Sequence, residues 1–79
     1  MRYEVRWNIG AQEALKYLDH WKTAAAICEG VERFAQTGQG DLRRFGPDHH
    51  LRTAGYIVKI TIDPAARTIV VHRYFRAPR

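Results

Sequence analysis

The sequence predicts an α+β domain: an N-terminal strand, a helical hairpin, then antiparallel strands forming one small sheet packed on the helices. Three observations predict it. Residues 2–7 alternate strictly in side-chain character, and residues 11–36 carry apolar side chains at helical spacing. Residues 49–76 then return to strand-like alternation, interrupted by two turn signals.

In the first segment Tyr3, Val5 and Trp7 fall on one side and Arg2, Glu4 and Arg6 on the other, the pattern of a half-buried strand. Asn8 and Gly10 offer a stop and a helix cap. Ala11, Ala14, Leu15 and Leu18 predict a short amphipathic helix over 11–18. Asp19 suits the cap of a second helix, about 21–36, where Trp21, Ala24, Cys28, Val31 and Ala35 make one stripe beside Ile27 and Phe34. Gly38 and Gly40 end it, as expected where a helix stops at a left-handed residue. Gly30, inside this helix, costs roughly 1 kcal/mol relative to Ala, which predicts close packing against it. Trp7 and Trp21 read as core anchors and Cys28 as a small core residue.

Gly46 and Pro47 mark a further loop before strand-like sequence resumes at His49. A two-residue turn at Ala54 and Gly55 sets Thr53 opposite Tyr56, Arg52 opposite Ile57, Leu51 opposite Val58 and His50 opposite Lys59. A loop over 64–67 sets Asp63 opposite Thr68, Ile60 opposite Val71, Lys59 opposite His72 and Ile57 opposite Tyr74. Leu51, Tyr56, Val58, Ile60, Ile62, Ile69, Val71 and Phe75 then share a core face, with Arg73 a misfit among them. His50, Arg52, Lys59, His72, Tyr74 and Arg76 share the other face with Ile57 and Val70.

Seventy-nine residues are expected to make one domain, 1–79. A chain of this size buries only about 60–65% of its unfolded surface, so its stability is expected to be marginal without a partner. One cysteine rules out an internal disulfide framework, and 46% apolar residues argue against disorder. The longest apolar run, 24–28, is far short of a membrane span, and a cytoplasmic location is expected. Residues 1–40 carry five Lys/Arg against five Asp/Glu, whereas residues 41–79 carry eight Lys/Arg against three Asp, so the net +5 lies in the second half. That distribution favours a polyanionic or acidic partner.

AQEALKYLDHWKTAAAICEGVERFAQTG looks like the helical hairpin of the RelE/ParE superfamily of type II toxin–antitoxin toxins, which includes plasmid stabilisation proteins. GDLRRF looks like the link that follows that hairpin, LRTAGYIVKITID is similar to the family's pattern of Leu-Arg, three mostly small residues, Tyr-Arg and an apolar strand, and IVVHRYFR resembles its last strand. The resemblance covers nearly the whole chain. It implies one of two actions: metal-independent endoribonuclease cleavage of mRNA in the ribosomal A site (an mRNA interferase that inhibits translation), or inhibition of gyrase without cleavage. Either kind is held inactive by a cognate antitoxin protein, and neither needs a metal or small-molecule cofactor.

Cleavage of this kind needs a base for the 2′-OH, an acid for the leaving 5′-oxygen and cations around the phosphate. Arg76 matches the basic residue ending the family's last strand, and its fork of donors suits the scissile phosphate. His72, four residues earlier and expected opposite Lys59, is the candidate base, since a neighbouring ammonium disfavours imidazolium. His50 falls where relatives carry a basic residue and is the candidate acid or phosphate ligand. Arg43, Arg44, Arg52 and Lys59 are candidate RNA contacts by charge, and Tyr74 by stacking. His49 and His50 point to opposite sides of a strand and make no metal pair. The chain departs from the nuclease pattern at Ile57, where RelE-like members carry Arg, and at Ala77-Pro78-Arg79, where many carry a further acid–base residue. Two other readings stay open here: a non-catalytic binder of gyrase or another protein, and a small nucleic-acid-binding domain.

Overall fold

The structure, a computed structural model, describes residues 2–18 and 20–78. The chain runs β1 (Glu4–Trp7), α1 (Ile9–Lys16), α2 (Trp21–Thr37), β2 (Asp41–Phe45), β3 (Asp48–Thr53), β4 (Tyr56–Asp63) and β5 (Thr68–Arg76). All five strands form one sheet in the order β1-β5-β4-β3-β2, and the two helices pack on one side of it. β1 runs parallel to β5, with Val5 beside Ile69 and Trp7 beside Val71. The remaining pairs are antiparallel.

Local chemistry explains the helix ends. Asn8 is extended, and its side chain accepts a 2.8 Å bond from the Ala11 N–H, so α1 begins at Ile9, two residues earlier than its apolar spacing predicts. Gly38, at φ +77°, closes α2 by donating its N–H to the Phe34 carbonyl. The expected cap at Asp19 lies outside the described residues; His20 precedes the first helical residue and makes no side-chain cap bond.

The core joins one face of each layer. Ile27, Val31, Phe34 and Ala35 of α2 and Ala11 of α1 are buried with Leu51, Val58, Ile60, Ile69 and Val71 of the sheet. Each of the larger side chains contributes about 1.5–3 kcal/mol by leaving water. Trp7 packs against this cluster as expected, but Trp21 is 74% exposed and anchors nothing. Gly30 marks the tightest helix–sheet approach. A β-carbon built there would overlap the Thr53 hydroxyl and come within 2.8 Å of Thr53 Cβ. Cys28 is only partly buried, and that burial, reinforced by the nearby Glu32 carboxylate, pushes its thiol pKa up. Among the described residues no helix is long and apolar enough to cross a membrane.

Two sequence expectations need correction. Residues 41–45, read as a link, form β2, an edge strand paired with β3 through the two-residue turn at Gly46 and Pro47. The alternation was masked by two successive arginines, since Arg43 and Arg44 point to opposite sides of an edge and both reach solvent.

The second correction concerns register. The β3–β4 hairpin pairs as predicted, at Thr53–Tyr56, Arg52–Ile57, Leu51–Val58 and His50–Lys59. The β4–β5 hairpin follows its predicted register only from Asp63–Thr68 to Ile60–Val71. There a bulge inserts one residue: Lys59 pairs with Arg73, Val58 with Tyr74, Ile57 with Phe75 and Tyr56 with Arg76. His72 is the extra residue, and every side chain beyond it changes face relative to uninterrupted alternation. The misfit of Arg73 disappears, Tyr74 turns to the core and Phe75 leaves it.

Candidate nucleic-acid interface

Register and alternation assign the sheet surface away from the helices. β2 contributes Asp41, Arg43 and Phe45; β3 contributes Asp48, His50 and Arg52; β4 contributes Ile57, Lys59, Thr61 and Asp63. β5 adds Thr68, Val70 and, through the bulge, His72 together with Arg73, followed by Phe75. β1 adds Glu4 and Arg6 at the far edge. Neither helix covers this side.

Two clusters organise the face. In the first, the Lys59 ammonium lies 3.3 Å from the Asp48 carboxylate, with both side chains about one-third exposed. Thr61 Oγ1 lies 3.4 Å from Asp48 Oδ1 and 2.5 Å from His72 Nε2. When Thr61 donates its proton to Asp48, its oxygen accepts from His72 Nε2–H, which leaves Nδ1 as the basic nitrogen. A lone imidazole on a flat sheet would rotate freely; this chain of contacts holds its plane.

In the second cluster Phe45 and His50 stack with centroids 4.4 Å apart, and Phe75 meets the other side of His50 edge-on at 6.0 Å. The Arg73 guanidinium sits 5.8 Å from the Phe75 ring centroid. Phe45 and Phe75 remain 54% and 39% exposed. The cross-strand neighbour of Phe75 is Ile57, which also pairs with Arg52.

The candidate residues therefore divide. His50, Arg52, Lys59, His72 and Arg43 share the outer face, where Arg43 also lies 3.6 Å from Asp41. Arg44 alternates to the helix side and donates to the Gly46 carbonyl. Tyr74 lies under α2 beside Tyr56 at 5.8 Å, and burial, then the neighbouring Tyr56 and Cys28, pushes its phenol pKa up. Arg76 also turns to the helix side, lining a cleft of about 260 Å³ with Tyr17, Leu18, His20, Thr23 and Tyr56. The expected grouping of Arg76 and Tyr74 with the histidines and the expected Lys59–His72 pair are both undone by the bulge. Sequence reasoning missed Phe45, Thr61, Arg73 and Phe75 as members of the face. The signal was present in one place, the charged Arg73 on an otherwise apolar predicted face.

The five-stranded sheet, two helices on one side and strand order together define the RelE-like fold. It is similar to a chain of the RelB–RelE complex of the archaeon Pyrococcus horikoshii, with TM-score 0.80 and 16% identity over 100% of this chain and 99% of that one. A chain of the RelBE2 toxin–antitoxin complex of Mycobacterium tuberculosis matches with TM-score 0.75 and 23% identity, covering 96% and 99%. The isolated E. coli RelE toxin matches with TM-score 0.65 and 15% identity, covering 98% and 86%. No protein-family model and no curated protein sequence matches the chain.

Proposed function

We propose that the chain is the toxin of a type II toxin–antitoxin pair, held inactive by a small cognate antitoxin in the cytoplasm, and that it cleaves ribosome-bound mRNA at its outer sheet face. The observation that carries the reading is the gathering of His72, Arg73, Lys59, Arg52 and Arg43 on one uncovered face of a RelE-like fold. In this reading Nδ1 of His72, oriented through Thr61 and Asp48, takes the proton from the 2′-OH. The oxygen so freed attacks the adjacent phosphorus, and the 5′-oxygen leaves with a proton supplied by His50 or water. Arg73 and Lys59 balance the charge that develops on the phosphate, and Arg73 takes the clamp role that the family resemblance implied for Arg76.

The test is controlled expression in a bacterium with transcriptome-wide mapping of new RNA 5′ ends. Growth arrest with codon-phased ends, lost in His72→Gln and in Arg73→Gln but retained in Arg76→Gln, supports the reading. Arrest with DNA-damage induction and no new ends overturns it. That outcome belongs to the second reading, a non-catalytic binder of gyrase or another protein, which the exposed Phe45 and Phe75, with half-buried Ile57 beside Phe75, favour.

A further inference from the structure

Phe45, His50, Ile57 and Phe75 make an apolar floor in a face that is otherwise charged. Basic residues surround it: Arg43 and Arg52 are register neighbours of His50 and Ile57, Lys59 is paired with His50, and Arg73 lies against Phe75. Exposed phenyl rings on a small domain lower its solubility and contribute little to folding, so their presence on a functional face calls for a ligand that covers them. An acidic protein surface would satisfy the rim but not the floor. An unpaired nucleic-acid strand satisfies both, because each nucleotide presents a flat π-face and a phosphate a few ångströms apart. Base-paired RNA satisfies only the rim, since its bases are stacked on each other and closed to side chains.

Resting on the reading that the outer face binds RNA, we infer that Phe45, His50 and Phe75 form a stacking platform for unpaired bases, with Arg52 and Arg73 at the flanking phosphates. His50 then belongs to the platform: its ring stacks on Phe45 and meets Phe75 edge-on, so the three rings line one continuous patch. Ile57, paired with Arg52 on one side and Phe75 on the other, extends the apolar surface beside Phe75. The positive charge at that end of the floor comes from Arg73, which the bulge delivers to the same face. The platform also fixes the register of the strand, since a base seated on Phe75 sets which phosphate lies beside Arg73.

Fluorescence anisotropy with three labelled probes tests this: a single-stranded RNA octamer, the same sugar–phosphate octamer with abasic central positions, and a blunt RNA duplex. Phe45→Leu and Phe75→Leu are expected to weaken octamer binding about 10-fold each. They should leave the salt dependence and the affinity for the duplex and abasic probes unchanged. Phe45→Tyr should restore octamer binding, which separates lost stacking from lost folding. Arg73→Gln should instead reduce the slope of log K against log salt by about 0.7, the share of one single-strand phosphate contact. Equal weakening of all three probes by the Phe variants, or native binding in both of them, overturns the platform. Codon-phased cleavage that persists in Phe variants with unchanged octamer affinity removes the platform and leaves the RNA reading intact. Native protein that binds none of the probes, yet arrests growth through a protein target, removes both.

Discussion

The two hairpins that share β4 obey different rules. β3–β4 is a regular ladder, turned by Ala54 at φ +55° and Gly55 at φ +78°, the left-handed pair that suits a two-residue turn. β4–β5 starts as regularly from its four-residue loop, where the Asp63 carboxylate accepts from the Ala65 and Ala66 N–H groups, and then slips by one residue at His72. The regular hairpin fills the core: Leu51 and Val58 face each other there. The slipped one does two jobs, keeping Tyr74 on the core while placing two consecutive charged or titratable residues, His72 and Arg73, on the outer face. An uninterrupted strand cannot do that, because its side chains alternate.

One-residue deletions break the comparison most sharply. Removing Arg52 from the regular hairpin shifts Leu51 and the residues before it to the wrong face, and we expect a loss of more than about 3 kcal/mol, read by urea unfolding. Removing His72 straightens the bulged ladder and keeps Val71 and Tyr74 inward, so the fold should survive at a cost of about 1 kcal/mol. Equal damage from both deletions would refute the assigned bulge. Next in size is Gly30→Ala, which drives a methyl group into Thr53 at the end of β3 and should cost about 1–3 kcal/mol. Thr53→Ala should return part of that loss in the double mutant.

Much of this contrast was legible in the sequence. The β3–β4 register followed from one turn and from alternation, and the close packing at Gly30 followed from a glycine placed where helix propensity opposes it. The bulge was not, because a pattern of period two carries no mark of an inserted residue except a misfit downstream. Arg73 was that misfit, and a one-residue slip would have removed it. β2 was hidden for a different reason: an edge strand has little burial to impose a pattern, so DLRRF alternates weakly. Trp21 misled because it continued an apolar stripe past the point where the sheet lies beneath it.

Smaller effects sharpen the contrast. Ala54→Asn places a residue tolerant of left-handed backbone in the first turn and should stabilise the protein by about 0.5–1 kcal/mol in thermal unfolding. Arg67→Asn, at φ +50° in the second loop, should give a similar gain. The smallest effect is alkaline. Burial raises the Tyr74 and Cys28 pKa values in the folded state, so the unfolded chain ionises first as pH climbs. Their contribution is fully present below about pH 9 and is lost at higher pH, as the sign of the proton linkage requires. Tyr74→Phe should flatten the fall in stability between about pH 9 and 11. A Tyr74 on the outer face, where straight alternation would put it, would leave that slope unchanged.

The parallel pairing of β1 with β5 has a consequence for how the chain is made. Among the described strands the earliest, β1, finds its sheet neighbour in the latest, and β5 must enter between β1 and β4. Until residues 68–71 have been made and have entered the sheet, β1 has no ladder to join, and Val5 and Trp7 have no Ile69 or Val71 beside them. A nascent or prematurely terminated chain therefore holds a helical hairpin and an incomplete meander, without the outer face that His72, Arg73 and Phe75 complete. The outer face is thereby the part of the sheet that depends most on β5, the latest made of the five described strands.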